Sequence, residues 1–166
     1  MSAGSRLGAR RSQRSPLWRD LESGRAPLAT LYAFEPMEHI ALVREGIPAA
    51  MLPVVASEMA ITRDRLYRTI GVARATMDRK IRSRLRLSPD ESERLLGIAR
   101  LVGQVDEMVR ESGEPEGFDA ARWLAEWLET PLAALGGEAP ASLMDTAEGR
   151  RLVSDLLSQI QSGAYA

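Results

Sequence analysis

The strongest constraint on the fold lies between residues 88 and 113. This stretch opens with Ser88-Pro89-Asp90-Glu91. A serine that can cap a helix, a proline in the first turn and a glutamate three residues after the serine together form a capping box. Apolar residues then recur about once per helical turn up to Val109, and Gly113 follows as a stop signal. The pattern predicts one long helix with a single apolar face.

The remaining sequence carries helix signals of the same kind. Thr62, Asp119 and Thr146 each precede an amphipathic stretch as a candidate N-cap. Further helices are expected over 36–45, from Ile47-Pro48 to Met59, and over 74–84. No run of alternating apolar and polar residues of any length is found, so the sequence predicts an all-α fold.

Composition excludes several classes of chemistry. The 166 residues contain no cysteine and one histidine, His39, which rules out thiolate sites and multi-histidine metal sites. Phosphate-binding glycine motifs and catalytic triads are also missing. We therefore expect neither an enzyme nor a cofactor. The apolar runs are too short to span a membrane, and a cytoplasmic protein is the default expectation.

The charges are separated along the chain. Residues 63–86 contain nine basic and two acidic residues, a net charge of +7, although the whole chain has a net charge of −1. Residues 87–166 contain 15 acidic residues against six arginines, a net charge of −9. A dense basic stretch is typical of nucleic-acid binding, because cations that neutralise phosphates release counterions.

The basic stretch contains a candidate helix-turn-helix. Two short helices meet at Gly71, a residue that adopts turn conformations without strain. The second helix is the predicted recognition helix, and its polar face supplies the candidate DNA contacts Arg74, Thr76, Arg79, Lys80 and Arg82. Tyr67 stands where this motif usually has a small residue, which predicts looser or offset packing. An αα-hairpin with a basic exposed face is the alternative.

These patterns divide the chain into three parts. Residues 1–35 lack apolar periodicity and are expected to form a disordered or loosely attached arm. Residues 36–113 are predicted to bind DNA and to dimerise, and residues 118–166 form a separate helical domain. Trp123 and Trp127 of that domain are expected in its core.

Two segments resemble the Xre/MbcA/ParS antitoxin family. Residues 69–96 are similar to its Xre-like helix-turn-helix part. The toxin-binding part is matched at Trp123-Leu124, at Pro131-Leu132-Ala133-Ala134-Leu135-Gly136-Gly137, and at the closing Leu157-Ser158-Gln159-Ile160-Gln161-Ser162-Gly163-Ala164-Tyr165. The resemblance covers roughly residues 40–166.

The resemblance implies an antitoxin of a type II toxin–antitoxin system whose partner is a RES-domain toxin that consumes NAD⁺. It implies that the C-terminal segment occludes the toxin's active site, which assigns toxin binding to Gly163, Ala164, Tyr165 and Ala166. It further implies a homodimer that binds operator DNA and represses its own operon. The alternatives are a stand-alone transcription regulator with a C-terminal dimerisation or sensing domain, and a helical interaction protein that does not bind DNA.

Overall fold

A computed structural model describes residues 16–24, 26–113 and 116–163. Within these ranges the chain forms α-helices and two short 3₁₀ turns, and the one β-type contact is an isolated bridge between Pro48 and Arg86. The helices are α1 (Pro16–Glu22), α2 (Leu28–Tyr32), α3 (Pro36–Glu45), α4 (Met51–Glu58), α5 (Arg63–Thr69), α6 (Arg74–Arg82), α7 (Pro89–Ser112), α8 (Ala120–Leu128) and α9 (Ala147–Gln161). The 3₁₀ turns Ala133–Leu135 and Pro140–Leu143 connect α8 to α9. The predicted all-α fold is confirmed.

The long helix α7 is the centre of the fold, and α2, α3, α8 and α9 pack against it. Its predicted capping box is present: Ser88 Oγ accepts the Glu91 N–H at 3.2 Å, and the Glu91 carboxylate accepts the Ser88 N–H at 2.7 Å. Gly113 ends the helix in the left-handed conformation. The apolar face of α7, including Leu95, is buried along most of its length. None of the described helices is both long and apolar enough to cross a membrane.

One continuous cluster of buried apolar side chains runs through the described residues, from Trp18 to Leu157. The predicted units 36–113 and 118–166 therefore do not have separate hydrophobic cores. Their contact is reinforced by Arg65 of α5, which donates to the Ala125 carbonyl at 2.6 Å and pairs with Glu129 at 3.2 Å.

The prediction of a loose N-terminal arm is wrong over residues 16–24 and 26–35, whereas residues 1–15 lie outside the described part of the chain. Trp18 and Leu21 are buried, and the Trp18 ring packs edge-on against Phe34 at a centroid distance of 5.4 Å. Helices α1 and α2 are too short to show apolar periodicity. Burial against the rest of the fold, rather than intrinsic propensity, stabilises such short helices.

The start of α4 also differs from the prediction. Ile47 and Pro48 are extended rather than helical, and the helix begins at Met51. The Ile47 N–H donates to Ser92 Oγ at 2.9 Å, and the Ile47 carbonyl accepts the Leu87 N–H at 2.8 Å. Because both backbone groups of Ile47 bond to distant segments, the proline does not occupy the first turn of a helix.

Replacing Leu21 by alanine tests whether the N-terminal helices belong to the core. This side chain is fully buried, so we expect the free energy of unfolding to fall by about 2–5 kcal/mol. Urea denaturation measures the change. The matched control is Arg19→Ala on the exposed side of α1, which we expect to change stability by less than about 0.5 kcal/mol. Equal stability of the two variants would contradict the packing.

Candidate functional site

Helices α5 and α6 form the predicted helix-turn-helix. Thr62 caps α5 by accepting the Arg65 N–H at 3.2 Å, as its sequence position predicts. Gly71 has a φ of +66°, and a Cβ built on it would lie 2.7 Å from the Cβ of Asp145. The turn thus requires glycine both for its conformation and for its contact with the residue before Thr146, the N-cap of α9.

Tyr67 joins the two helices of the motif. Its side chain is buried, and its hydroxyl donates to Asp78 Oδ1 of α6 at 3.2 Å. Burial and the nearby Asp78 carboxylate raise the pKa of Tyr67. A tyrosine in place of the usual small residue therefore supplies a polar bridge between the helices.

The predicted recognition helix presents most of its surface to solvent, since Met77 is its one buried residue. Arg79 and Arg82 are exposed and make no ion pair within the described ranges. Thr76 is half-buried. Arg74 is exposed but pairs with Asp64 at 2.8 Å and with Asp78 at 3.4 Å. Exposed pairs of this kind contribute little to stability and are readily exchanged for a phosphate contact.

Lys80 does not share the exposure of the candidate arginines Arg74, Arg79 and Arg82. Its side chain is 14% exposed, and its ammonium group lies 2.5 Å from Oε2 of Glu91, the capping-box glutamate of α7. Burial raises the pKa of Glu91, but the hydrogen bonds from Lys80 and Ser88 outweigh it and hold the pKa below its ordinary value. Lys80 thus anchors the recognition helix to α7. This role does not follow from the local sequence, because the partner, Glu91, belongs to another helix.

Two further arginines, Arg68 and Arg84, join the exposed cations that have no ion pair among the described residues. Neither was among the DNA contacts predicted from the sequence, although both lie in the basic stretch. By contrast, Arg65 and Arg86 bond to groups outside this stretch, Arg86 with Glu22 and with the Gly46 carbonyl. The candidate DNA surface therefore consists of the exposed arginines without a described ion pair, Arg68, Arg79, Arg82 and Arg84, together with Arg74, which is exposed but paired.

At the other end of the chain, α9 carries the predicted toxin-binding tail. Thr146 caps this helix by accepting the Gly149 N–H at 3.0 Å. Gly163 is exposed, and a Cβ built on it would have no neighbour within 4 Å. The other predicted contacts, Ala164, Tyr165 and Ala166, lie outside the described residues. On α9 itself, Leu152 and Ile160 leave apolar side chains exposed.

The tryptophans of α8 were expected in the core but are half-buried at its edge. Trp123 and Trp127 stack with ring centroids 6.0 Å apart and an interplanar angle of 10°. Phe118, whose side chain is exposed, lies 6.2 Å from the Trp123 ring. Positions 123 and 127 are one helical turn apart, so both rings lie on the same flank of the helix.

Both halves of the chain match domains of known protein families. Residues 38–100 match the model of the antitoxin Xre-like helix-turn-helix domain. Residues 116–163 match the model of the antitoxin Xre/MbcA/ParS C-terminal toxin-binding domain. The Prs ADP-ribosylating antitoxin of Sphingobium sp. (strain YBL2) is 42% identical over 145 residues, which cover 86% of this chain and 91% of the relative.

The chain belongs to the Xre/MbcA/ParS antitoxin family. More distant relatives are the Xre antitoxins of Yersinia enterocolitica and Photorhabdus laumondii, each 27% identical, over 75% and 91% of this chain and 78% and 91% of their own lengths. The protein is thus an antitoxin of a toxin–antitoxin system. The residues that match the helix-turn-helix domain include α5 and α6. Those that match the toxin-binding domain include α8 and α9.

Replacing Lys80 by methionine tests the anchoring role. The change leaves the Glu91 carboxylate short of a partner in a site that is largely closed to water, so we expect a loss of about 1–3 kcal/mol of unfolding free energy at neutral pH. Because the folded-state pKa of Glu91 is lowered, its contribution is full above the ordinary carboxyl pKa and disappears as the pH falls through the folded-state pKa. The difference between the variant and the wild type should therefore shrink in acid.

Urea denaturation over a series of pH values measures this difference. The matched control is Arg82→Met, which removes from the same helix an exposed charge that has no ion pair among the described residues. We expect it to change stability by less than about 0.5 kcal/mol. A Lys80→Met protein as stable as this control at neutral pH would exclude the anchoring role.

Proposed function

We propose that this antitoxin neutralises a RES-domain toxin that consumes NAD⁺, by placing residues 163–166 in the toxin's active-site cleft. It also represses its own operon by binding operator DNA as a homodimer. The observation that carries the proposal is the match of residues 116–163 to the toxin-binding domain. In this proposal the chain acts by binding, in the cytoplasm, and performs no catalysis itself.

The toxin-binding proposal is supported by the position and chemistry of the tail. Helix α9 leads to Gly163, which is exposed. A Cβ built on this glycine would have no described atom within 4 Å. Beyond it the sequence offers the Tyr165 ring, which can stack against a planar group and donate a hydrogen bond through its hydroxyl. The Sphingobium relative is named for ADP-ribosylation, a reaction whose ADP-ribose donor is NAD⁺.

The acidic second half of the chain fits the same partner. Residues 87–166 have a net charge of −9, and a toxin site built for NAD⁺ is cationic. Complementary fields accelerate association and orient the partners. The exposed apolar side chains of Leu152 and Ile160 on α9 supply contact area beside the tail.

The DNA-binding proposal is supported by the exposed, unpaired arginines on and around α6. Arg79 and Arg82 lie on the recognition helix, and Arg68 and Arg84 flank it. Arginine forms paired hydrogen bonds with guanine and with phosphate. A helix-turn-helix protein commonly reads two half-sites as a dimer, which motivates the homodimer.

Deletion of residues 163–166 tests the tail. We expect that the truncated antitoxin no longer protects cells that co-express the toxin. The toxin should consume NAD⁺ again, because its active-site cleft is no longer occupied. Binding to the DNA upstream of its own gene should be unchanged, which serves as the folding control. Full protection by the truncated protein would exclude this mechanism.

Replacing Arg74 and Arg79 by alanine tests the recognition helix. We expect operator binding to weaken by about 1–3 kcal/mol for each lost base contact, with a smaller dependence on salt where a phosphate contact is lost. Toxin binding should survive. The matched control is Arg122→Ala on α8, an exposed arginine outside the basic stretch. Operator affinity equal to that of the control would exclude α6 as the reading helix.

A further inference from the structure

A cleft between α7 and α9 holds the cation of Arg150, which forms no contact ion pair with a described carboxylate. The cleft has a volume of about 260 Å³ and is lined by polar and charged side chains. Its lining includes Arg100, Arg150 and Arg151, against the single carboxylate of Glu93. This volume is below the range of about 300–1,000 Å³ that is usual for drug-sized ligands, so it suits a small group.

Arg150 is held in this cleft by its surroundings. Its guanidinium donates to the Met144 carbonyl at 3.0 Å, and its side chain crosses α7 at Gly97. A Cβ built on Gly97 would lie 3.0 Å from the Arg150 Nε and closer still to its Cδ. Glycine is a poor residue inside a helix, but here it provides the space that the arginine occupies.

The charge of Arg150 lacks a counterion at contact distance. It is half-buried, and no ion pair of Arg150 is present within the described residues. Burial lowers its pKa, and the attraction of the Glu93, Asp90 and Asp145 carboxylates offsets this cost of desolvating the cation only in part. Arg100 on the neighbouring turn of α7 is exposed and likewise unpaired in the described chain. Arg151 differs, because it pairs with Glu148 and Asp155.

The walls of the cleft are fixed by other contacts. Gln104 of α7 donates to the Ser154 carbonyl of α9 at 2.9 Å, and Ser154 Oγ donates to Gln104 Oε1 at 2.7 Å. These reciprocal hydrogen bonds set the spacing of the two helices. Arg100 and Arg150 are therefore carried by two helices whose spacing is fixed, rather than by loops.

We propose that the cleft between α7 and α9 binds a phosphate group through Arg100 and Arg150. Two unpaired guanidinium groups match the double charge and the several acceptor oxygens of a phosphate better than they match a single carboxylate. Glu93 opposes the anion from the rim and keeps the affinity moderate. None of its lining residues is a candidate DNA contact or a predicted toxin contact, and the inference does not depend on the proposed function.

Titration of the full chain with inorganic phosphate tests the proposal, with NMR amide shifts as the readout and chloride at matched ionic strength as the reference. We expect saturable shifts at residues that line the cleft. Arg100→Gln should weaken phosphate binding by about tenfold or more, the effect of losing a charge-assisted hydrogen bond. Glu93→Gln should strengthen it, because a repulsive charge is removed. The matched control, Arg122→Gln, removes an arginine elsewhere and should leave binding unchanged.

Gly97→Ala is the sharper test, because it alters no charge. The added methyl displaces the Arg150 side chain, while alanine favours the helix, so the fold is retained and phosphate binding is lost. A wild-type chain without saturable shifts would overturn the proposal. The proposal would also be overturned if both the Gly97→Ala and the Arg100→Gln proteins bound phosphate with wild-type affinity.

Two further titrations identify the source of the phosphate. If ADP causes the amide shifts, and the variants rank in the same order of affinity for ADP as for phosphate, the phosphate group comes from a soluble nucleotide. Duplex DNA binding that Gly97→Ala weakens indicates the DNA backbone instead.

Discussion

The first two turns of α7 are the point on which the rest of the structure depends. The Glu91 carboxylate caps the helix and binds Lys80 of the recognition helix. The hydroxyl of the next residue, the buried Ser92, accepts the Ile47 N–H. Arg94 donates to two carbonyls in the turn of the helix-turn-helix. Three distant segments therefore bond to one helix end. A helix N-terminus suits this role, because its rigid backbone holds side chains in fixed directions.

The basic stretch serves two physical purposes. Arg65, Lys80 and Arg86 form ion pairs or hydrogen bonds with other parts of the fold, and they hold the motif in place. Other arginines remain exposed and form the candidate DNA surface. The cationic surface is consequently smaller than the net charge of +7 suggests, because charge counted along the chain includes cations that the fold itself neutralises.

The two functional units are built on a single core. Arg65 joins α5 to the end of α8, and the Gly71 turn lies directly against Asp145, which precedes α9. The two regions that match the family therefore share one packed body. The cleft proposed to bind phosphate lies between α7 and α9 of the same body, where Gly97 makes room for an arginine.

The sequence by itself determined the helices whose caps are local. Ser88, Thr62, Asp119 and Thr146 bond to backbone groups three residues away, so their roles follow from the order of residues alone. The helix-turn-helix and the family were likewise predicted from residue patterns. Three features could be seen only in the tertiary structure: the docking of residues 16–24 and 26–35, the extended conformation at Ile47 and the anchoring role of Lys80. These features depend on partners that are distant along the chain, and pairing over such separations is fixed by packing rather than by local propensity.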